Sequence, residues 1–175
     1  MLELCDHVVI NPVIGPKKSG DVKLEVLEMI YEYLISHKYE YRISFLPIFA
    51  NMFYAGPNEA IHHAILRQKV GFDLFSVGRD HAGAQGAYLP SLAVEKLVEN
   101  EKNLNIKIFA HHGAVFCDTC NSAVLFGECD HNVKNYKDIA GTQFRLSIKN
   151  NEIFSFADKS MQSYLKSLKM EVFEQ

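Results

Sequence analysis

Apolar residues recur along this chain in two alternating rhythms. Short β-branched or aromatic runs at residues 7–11 (HVVIN), 42–49 (RISFLPIF), 72–77 (FDLFSV) and 106–109 have the length and bounding residues of buried strands. Between the first two, Leu24, Leu27, Ile30, Tyr31 and Leu34 follow a three-and-four spacing that predicts a helix, capped by Asp21 and carrying His37 near its carboxyl end. A second helix begins with Gly56 as N-cap, Pro57 at the first helical position and Glu59 in the first turn. It buries Ala60, Ala64, Ile61 and Ile65 and stops at Gly71. Pro90 starts a third helix that sets Ala93 with Leu97 and Val94 with Val98. Residues 141–149 read as a loop entering a helix, and residues 158–169 as a last helix capped by Asp158.

Strands alternating with helices at these intervals predict an α/β fold with a parallel sheet. No repeat, low-complexity tract or linker divides the chain, so residues 1–175 read as a single domain. Residues 117–135 differ in character, lacking helical periodicity and holding three of the four cysteines, and they read as an insertion.

The strand at 72–77 meets Gly78 and opens into a glycine-rich loop, the whole stretch 72–86 reading FDLFSVGRDHAGAQG. In open α/β sheets ligands bind where loops leave the carboxyl ends of strands, and glycines let backbone N–H groups approach an anion closely. Arg79 adds a permanent planar cation suited to a tetrahedral anion. Residues 78–86, with Arg79, Asp80 and His81, are therefore the expected active centre. By itself the string equally fits a tight strand exit with Arg79 paired to an acidic neighbour.

Composition narrows the partners. The net charge of -3, without a dense basic tract, argues against nucleic acid and makes any anion site local. The longest uncharged run, 43–58, is broken by Pro47, Gly56 and Pro57 and is too short to span a bilayer, and the N-terminus lacks a basic region followed by an apolar stretch. A cytoplasmic protein is expected. Cys117, Cys120 and Cys129, with His131, give C-x2-C, eight residues, then C-x-H, a pattern that can bind Zn²⁺ tetrahedrally as a closed structural site in a reducing compartment. Asp130, His111 and His112 are alternative fourth ligands, and buried free cysteines without metal are the simpler alternative.

Upstream of the glycine loop stands MFYAGPNEAIHHAILRQKVG, residues 52–71. Met52, Tyr54, Ala55, Gly56, Pro57, Glu59, Ala60, His63, Ala64, Arg67 and Gly71, followed by the unbroken match of Val77 to Gly83, resemble the catalytic domain of ATP sulfurylase (sulfate adenylyltransferase). The resemblance extends more loosely from Val8 to Arg145, through KKSGD at 17–21, the cysteine cluster and AGTQFR at 140–145. It implies a Rossmann-like nucleotidyltransferase fold and adenylyl transfer from ATP, with Mg²⁺, to sulfate, giving adenylyl sulfate and pyrophosphate.

Carried over by residue, the resemblance implies that Arg79 and the Ala82 N–H hold sulfate, that Gly78, Arg79, Asp80, His81 and Ala82 line the nucleotide, and that Met52 and His63 support the loop. His62, about 100° away from His63 around the helix, cannot serve the same site. Some bacterial and thermophilic members carry a similar zinc cluster. Two departures stand out: Phe53 replaces an arginine found in many members, and the family's Q-x-R-N-P-x-H-x-x-H segment, whose histidines stabilise pyrophosphate, has no counterpart here. The expectation is a chain that turns over poorly in isolation, either a homo-oligomer or the partner of another polypeptide that carries H-x-x-H and completes the site. The alternative is a non-catalytic nucleotide- or sulfonucleotide-binding protein.

Overall fold

The computed structural model describes residues 1, 2, 4–16, 19–78, 81, 88, 89 and 91–174. They fall into two compact units, Met1–Met52 with Thr142–Gln175, and Phe53–Gly141.

In the first unit β1 (Val8–Ile10) and β2 (Ile43–Phe45) pair in parallel, Val8 opposite Ile43. Parallel neighbours require a long crossover, supplied here by helix α1 (Leu24–His37). Tyr31 of α1 stacks on Phe45 of β2 with ring centroids 5.2 Å apart. The apolar run at 42–49 yields a shorter strand because Pro12, opposite it, has no N–H to give to Leu46 O, which accepts from the Asn11 side-chain amide instead. Beyond Phe45 the pairing continues through Leu46 N–H to Ile10 O, Ile48 N–H to Pro12 O and Ile14 N–H to Ile48 O, with an isolated parallel bridge between Val13 and Ile48.

Asp21 does not cap α1. The N-cap is Lys23, whose side chain does not cap the helix and reaches Glu171 instead. Residues 20–23 instead run antiparallel to the tail: Gly20 N–H donates to Glu174 O, Lys23 N–H to Val172 O and Glu174 N–H to Asp21 O. A backbone extended by these long-range bonds cannot turn into a helix before residue 23. At the far end of the unit, after α4 (Gly141–Lys149), the Asp158 carboxylate caps α5 (Lys159–Ser167) by accepting the Met161 N–H at 2.7 Å. Gln162 is wholly buried and satisfied, its side chain accepting the Phe154 N–H at 2.8 Å and donating to Phe154 O at 3.0 Å.

The second unit opens with α2 (Pro57–Val70), β3 (Leu74–Val77), α3 (Leu92–Asn100) and β4 (Lys107–Ala110). Strands β3 and β4 are parallel, Phe75 opposite Ile108, with α3 in the crossover. Ala60 and Ala64 of α2 pack with Phe75, Val77, Ala93, Leu97 and Ile106 into one core, the two small residues letting α2 lie close to its neighbours. Gly71 ends α2 at φ +102°, its N–H on Arg67 O and Gln68 O. The unit closes with an antiparallel sheet, β6 (Ser122–Leu125), β5 (Ala114–Cys117) and β7 (Tyr136–Asp138) in that order across it.

The mixed α/β fold with parallel pairing is thus present. Among the described residues the parallel strands form two separate pairs rather than one continuous sheet, and the segment around the cysteines is a hairpin with its own ladder. No helix among these residues is long and apolar enough to cross a membrane.

Asp158→Ala should remove both the α5 cap and the ion pair with Lys38, and the cap alone is worth about 1 kcal/mol. Bonds from Lys38, Ser160 and the Met161 N–H hold the Asp158 carboxyl well below the usual carboxylate range. Its contribution is therefore complete above the unfolded pKa of about 3.9 and is lost as pH falls towards the lower folded value. Urea unfolding should show a gap between wild type and variant at about pH 7 that narrows at about pH 2.

Candidate functional site

Among the described residues α2 buries Glu59, Ala60, His63, Ala64 and Arg67. Positions 59, 63 and 67 are four apart and stack along one line of the helix, so a stripe of carboxylate, imidazole and guanidinium faces inward beside two alanines. Their exposures are 1%, 3% and 7%. Polar groups so deeply buried destabilise a fold unless each finds a partner, and the partners define the site.

Glu59 turns back on the segment that precedes its own helix. One carboxylate oxygen accepts the Phe53 N–H at 2.7 Å and the other accepts the Ala55 N–H at 2.9 Å. These bonds bracket Tyr54, which sits in the left-handed region at φ +53°. Gly56 follows at φ +56°, and a Cβ there would lie 2.4 Å from Tyr88 Cδ2. The unfavourable backbone conformation of Tyr54 is thus held by charge-assisted bonds from the first turn of α2, and glycine meets the second positive φ at residue 56. An open cleft of about 330 Å³ adjoins this loop, bounded by Ala55, Pro57, Asn58, Tyr88 and Lys96.

Below Glu59, His63 Nδ1 lies 2.9 Å from His81 Nε2, joining α2 to the loop that leaves β3. His63 Nε2 is buried without a hydrogen-bond partner and faces Glu59 Oε1 at 3.6 Å. The His81 and Phe75 rings lie T-shaped at 5.4 Å, and the Arg67 guanidinium lies 5.3 Å from the centroid of the Phe75 ring. Burial, reinforced by His81, Arg67 and His62, pushes His63 down to about 3. Burial and Arg67 push His81 down to about 4 against the opposing pull of Glu59. Both rings are neutral at neutral pH.

At the carboxyl end of β4, His111 lies against Gly78, its Cε1 3.4 Å from where a Cβ would stand. Its Nδ1 accepts the Gly113 N–H at 3.1 Å, which leaves the ring proton on Nε2 to be donated to Ser76 Oγ at 3.2 Å. Gly78 follows β3 directly, and Met52 is the half-buried last residue of the first unit's N-terminal segment. Arg79, Asp80 and Ala82 lie outside the described residues, as do Lys17, Lys18, residues 83–87 and Pro90. His62 points elsewhere than His63, its ring 5.8 Å from that of Phe53. Glu59 as a brace and Arg67 as a buried cation were not anticipated; their signal was the polar i, i+4, i+8 spacing on a helix whose other inward residues are alanines.

A second cluster occupies the β5–β6–β7 sheet. Cys117 ends β5, Cys120 lies in the turn to β6, and Gly127 at φ +86° reverses the chain towards Cys129 and His131. One ligand atom from each of Cys117, Cys120, Cys129 and His131 lies within 4.8 Å of the others. His131 Nδ1 is 3.6 Å from Cys117 Sγ and 3.3 Å from Cys120 Sγ, and the Cys120 N–H points at Cys117 Sγ at 3.5 Å. Of the alternative ligands, His111 is engaged with Ser76 and Gly113, and the His112 ring lies 6.4 Å from that of Phe126. Hydrogen bonds from the Tyr136 hydroxyl and then the His131 backbone bring the Cys129 thiol down to about 6.

Residues 1–157 match the family model described as ATP-sulfurylase. A sulfate adenylyltransferase of Carboxydothermus hydrogenoformans is 38% identical over 146 residues, which are 82% of this chain and 38% of that protein. That of Pyrococcus abyssi is 40% identical over 152 residues, 86% of this chain and 40% of the relative. The chain therefore spans 38% to 40% of the length of these relatives. Among solved structures, "Hexameric APS kinase from Thiobacillus denitrificans" matches with a TM-score of 0.63 at 11% identity, covering 96% of this chain and 32% of that one, a likeness of fold alone.

Gly56→Ala tests the braced loop. The substitution adds a Cβ against the Tyr88 ring at a φ that side chains rarely adopt, so it should destabilise by about 1–3 kcal/mol from the backbone alone and by more once Tyr88 is displaced. Gly71→Ala shares the positive φ but has nothing within 4 Å. Denaturant midpoints should rank Gly56→Ala clearly below Gly71→Ala; equal midpoints would mean that Tyr88 imposes no constraint.

Proposed function

The chain belongs to the ATP-sulfurylase family, and from that premise we propose that it supplies the sulfate- and nucleotide-holding part of a sulfate adenylyltransferase. In that reaction a sulfate oxygen attacks the α-phosphorus of ATP, the bond to the β-phosphate oxygen breaks, and adenylyl sulfate and pyrophosphate leave. The observation that carries the reading is the juncture of two motif segments on α2, where Glu59 fixes the 53–55 loop and His63 meets His81 of the glycine loop. Arg79 and the Ala82 N–H are assigned to sulfate, and Gly78, Arg79, Asp80, His81 and Ala82 to the nucleotide, which enters with Mg²⁺. Met52 and His63 are assigned supporting roles. Bringing two multiply charged anions together is mainly a matter of positioning and neutralisation, which arginine, backbone amides and a metal-bound nucleotide provide.

In this reading residues 1–175 form one catalytic region of nucleotidyltransferase type, with 117–135 as a metal-binding insertion. These residues contain no Q-x-R-N-P-x-H-x-x-H string, so in this reading the groups that stabilise pyrophosphate come from sequence outside them, such as a complementing polypeptide. A reducing cytoplasm suits the clustered thiols.

The Cys117, Cys120, Cys129 and His131 donors fit zinc. With Zn–S near 2.3 Å and Zn–N near 2.0 Å, a tetrahedron places sulfur and nitrogen about 3.5 Å apart, close to the 3.3 and 3.6 Å separations present. Four protein ligands leave no open position, so zinc would tie the hairpin rather than take part in the chemistry. Purified protein should carry about one equivalent of zinc and lose thermal stability on chelation; less than about half an equivalent with no chelator effect would refute the site.

Calorimetry with adenylyl sulfate tests the ligand assignment. Wild type should bind, and Arg79→Ala should weaken binding about tenfold or more, the scale of a charge-assisted hydrogen-bond pair. Unchanged affinity would place the ligand elsewhere. Pyrophosphate release from ATP, Mg²⁺ and sulfate separately measures turnover.

A further inference from the structure

His63 Nε2 is a buried nitrogen with no hydrogen-bond partner, and it faces the Oε1 atom of Glu59 at 3.6 Å. The separation is too long for a hydrogen bond, but it decides which nitrogen carries the ring proton. A lone pair on Nε2 would confront carboxylate lone pairs in a buried site, whereas an N–H presents a positive edge to them. With the proton on Nε2, His63 Nδ1 is an acceptor, and the 2.9 Å contact requires His81 Nε2 to donate. His81 then carries its lone pair on Nδ1.

We propose that Glu59 and His63 act as positioning residues that hold His81 as a neutral ring protonated on Nε2, so that its remaining nitrogen accepts a hydrogen bond and cannot neutralise phosphate. The groups facing these rings agree with that state. Arg67 and His62 of α2 add positive potential beside His63, Glu59 opposes them, and Phe75 of β3 packs T-shaped against His81. A protonated His81 would place a second cation beside Arg67 in a buried pocket. If the ring takes part in nucleotide binding, the chemistry it can recognise is a hydroxyl or amino donor, not a phosphate oxygen. That last step rests on the sulfate adenylyltransferase reading; the proton arrangement does not.

The two parts are tested by separate readouts on the full chain. Long-range ¹H–¹⁵N spectra of ¹⁵N-histidine-labelled protein, assigned by single substitutions among the eight histidines, should show His63 and His81 untitrated from about pH 5 to pH 8, each with a protonated Nε2 and a bare Nδ1. His63→Asn places an amide oxygen near the former Nδ1 and should preserve the His81 tautomer. His63→Leu removes the acceptor and should bring His81 to a mixture of tautomers, still untitrated because burial and Arg67 keep the ring neutral.

With adenylyl sulfate as probe, His63→Leu should weaken binding about tenfold, the worth of one properly placed hydrogen-bonding group, while His63→Asn stays within about threefold of wild type. Circular dichroism melts of both variants distinguish loss of positioning from loss of fold. A wild-type His81 that titrates between about pH 6 and pH 7, or that carries its proton on Nδ1, would overturn the proposal. Correct tautomers with no adenylyl sulfate binding would overturn the nucleotide role while supporting the proton arrangement.

Discussion

The second unit depends on a carboxylate that is almost wholly out of water. Glu59 occupies the first turn of α2, where a side chain would ordinarily be solvated and assist the helix dipole. Here it bends back and takes up two backbone N–H groups of the preceding loop. Each bond removes an orphan donor, and together they satisfy the carboxylate that would otherwise make its burial prohibitive. The loop cannot relax without exposing that charge, so Tyr54 and Gly56 remain at positive φ. Because the loop is fixed, α2 starts at a defined place and projects His63 and Arg67 into the same interior. Local strain and deep burial are two sides of one arrangement.

The cysteine hairpin follows a different economy. It has few buried apolar residues, and Cys117 is its one fully buried donor. Its order comes from ladder bonds, the ring contact of Phe126 with Tyr136 and the convergence of four soft or borderline donors. The donors are of the kind that a metal ion would tie, and a small sheet with few buried apolar residues is where such a tie would add cohesion.

Much of this was legible in the residue pattern. Gly56, Pro57 and Gly71 delimit α2 because their conformational needs are local, and Asp158 marks the start of α5 for the same reason. The four clustered donors were recognisable because metal spacing is itself a local pattern. What escaped was set by partners distant in sequence. Asp21 has the chemistry of a cap, but the tail at 172–174 pulls its backbone into an extended strip. Glu59 looked like a dipole partner because nothing in a one-dimensional pattern shows the chain before Gly56 folding over the helix end. The continuous apolar run at 42–49 suggested a longer strand than its partner permits, because Pro12 has no N–H for Leu46 O. The His63–His81 contact spans eighteen positions and exists only because Gly71 sends the chain back along α2.

The tail that displaces Asp21 also bears on how the protein is made. Met1–Met52 is completed by Thr142–Gln175, whereas Phe53–Gly141 is continuous. Chains emerge from the ribosome amino end first and fold as soon as a unit is complete. The continuous unit therefore has all its parts exposed while the other still waits for α5, for the Lys38–Asp158 pair and for the strip beside residue 22. During that interval α1 has no α5 to cover it, and the β1–β2 pair must persist on its own contacts. The nascent first segment is thus the stage of synthesis most open to wrong pairing and to capture by chaperones.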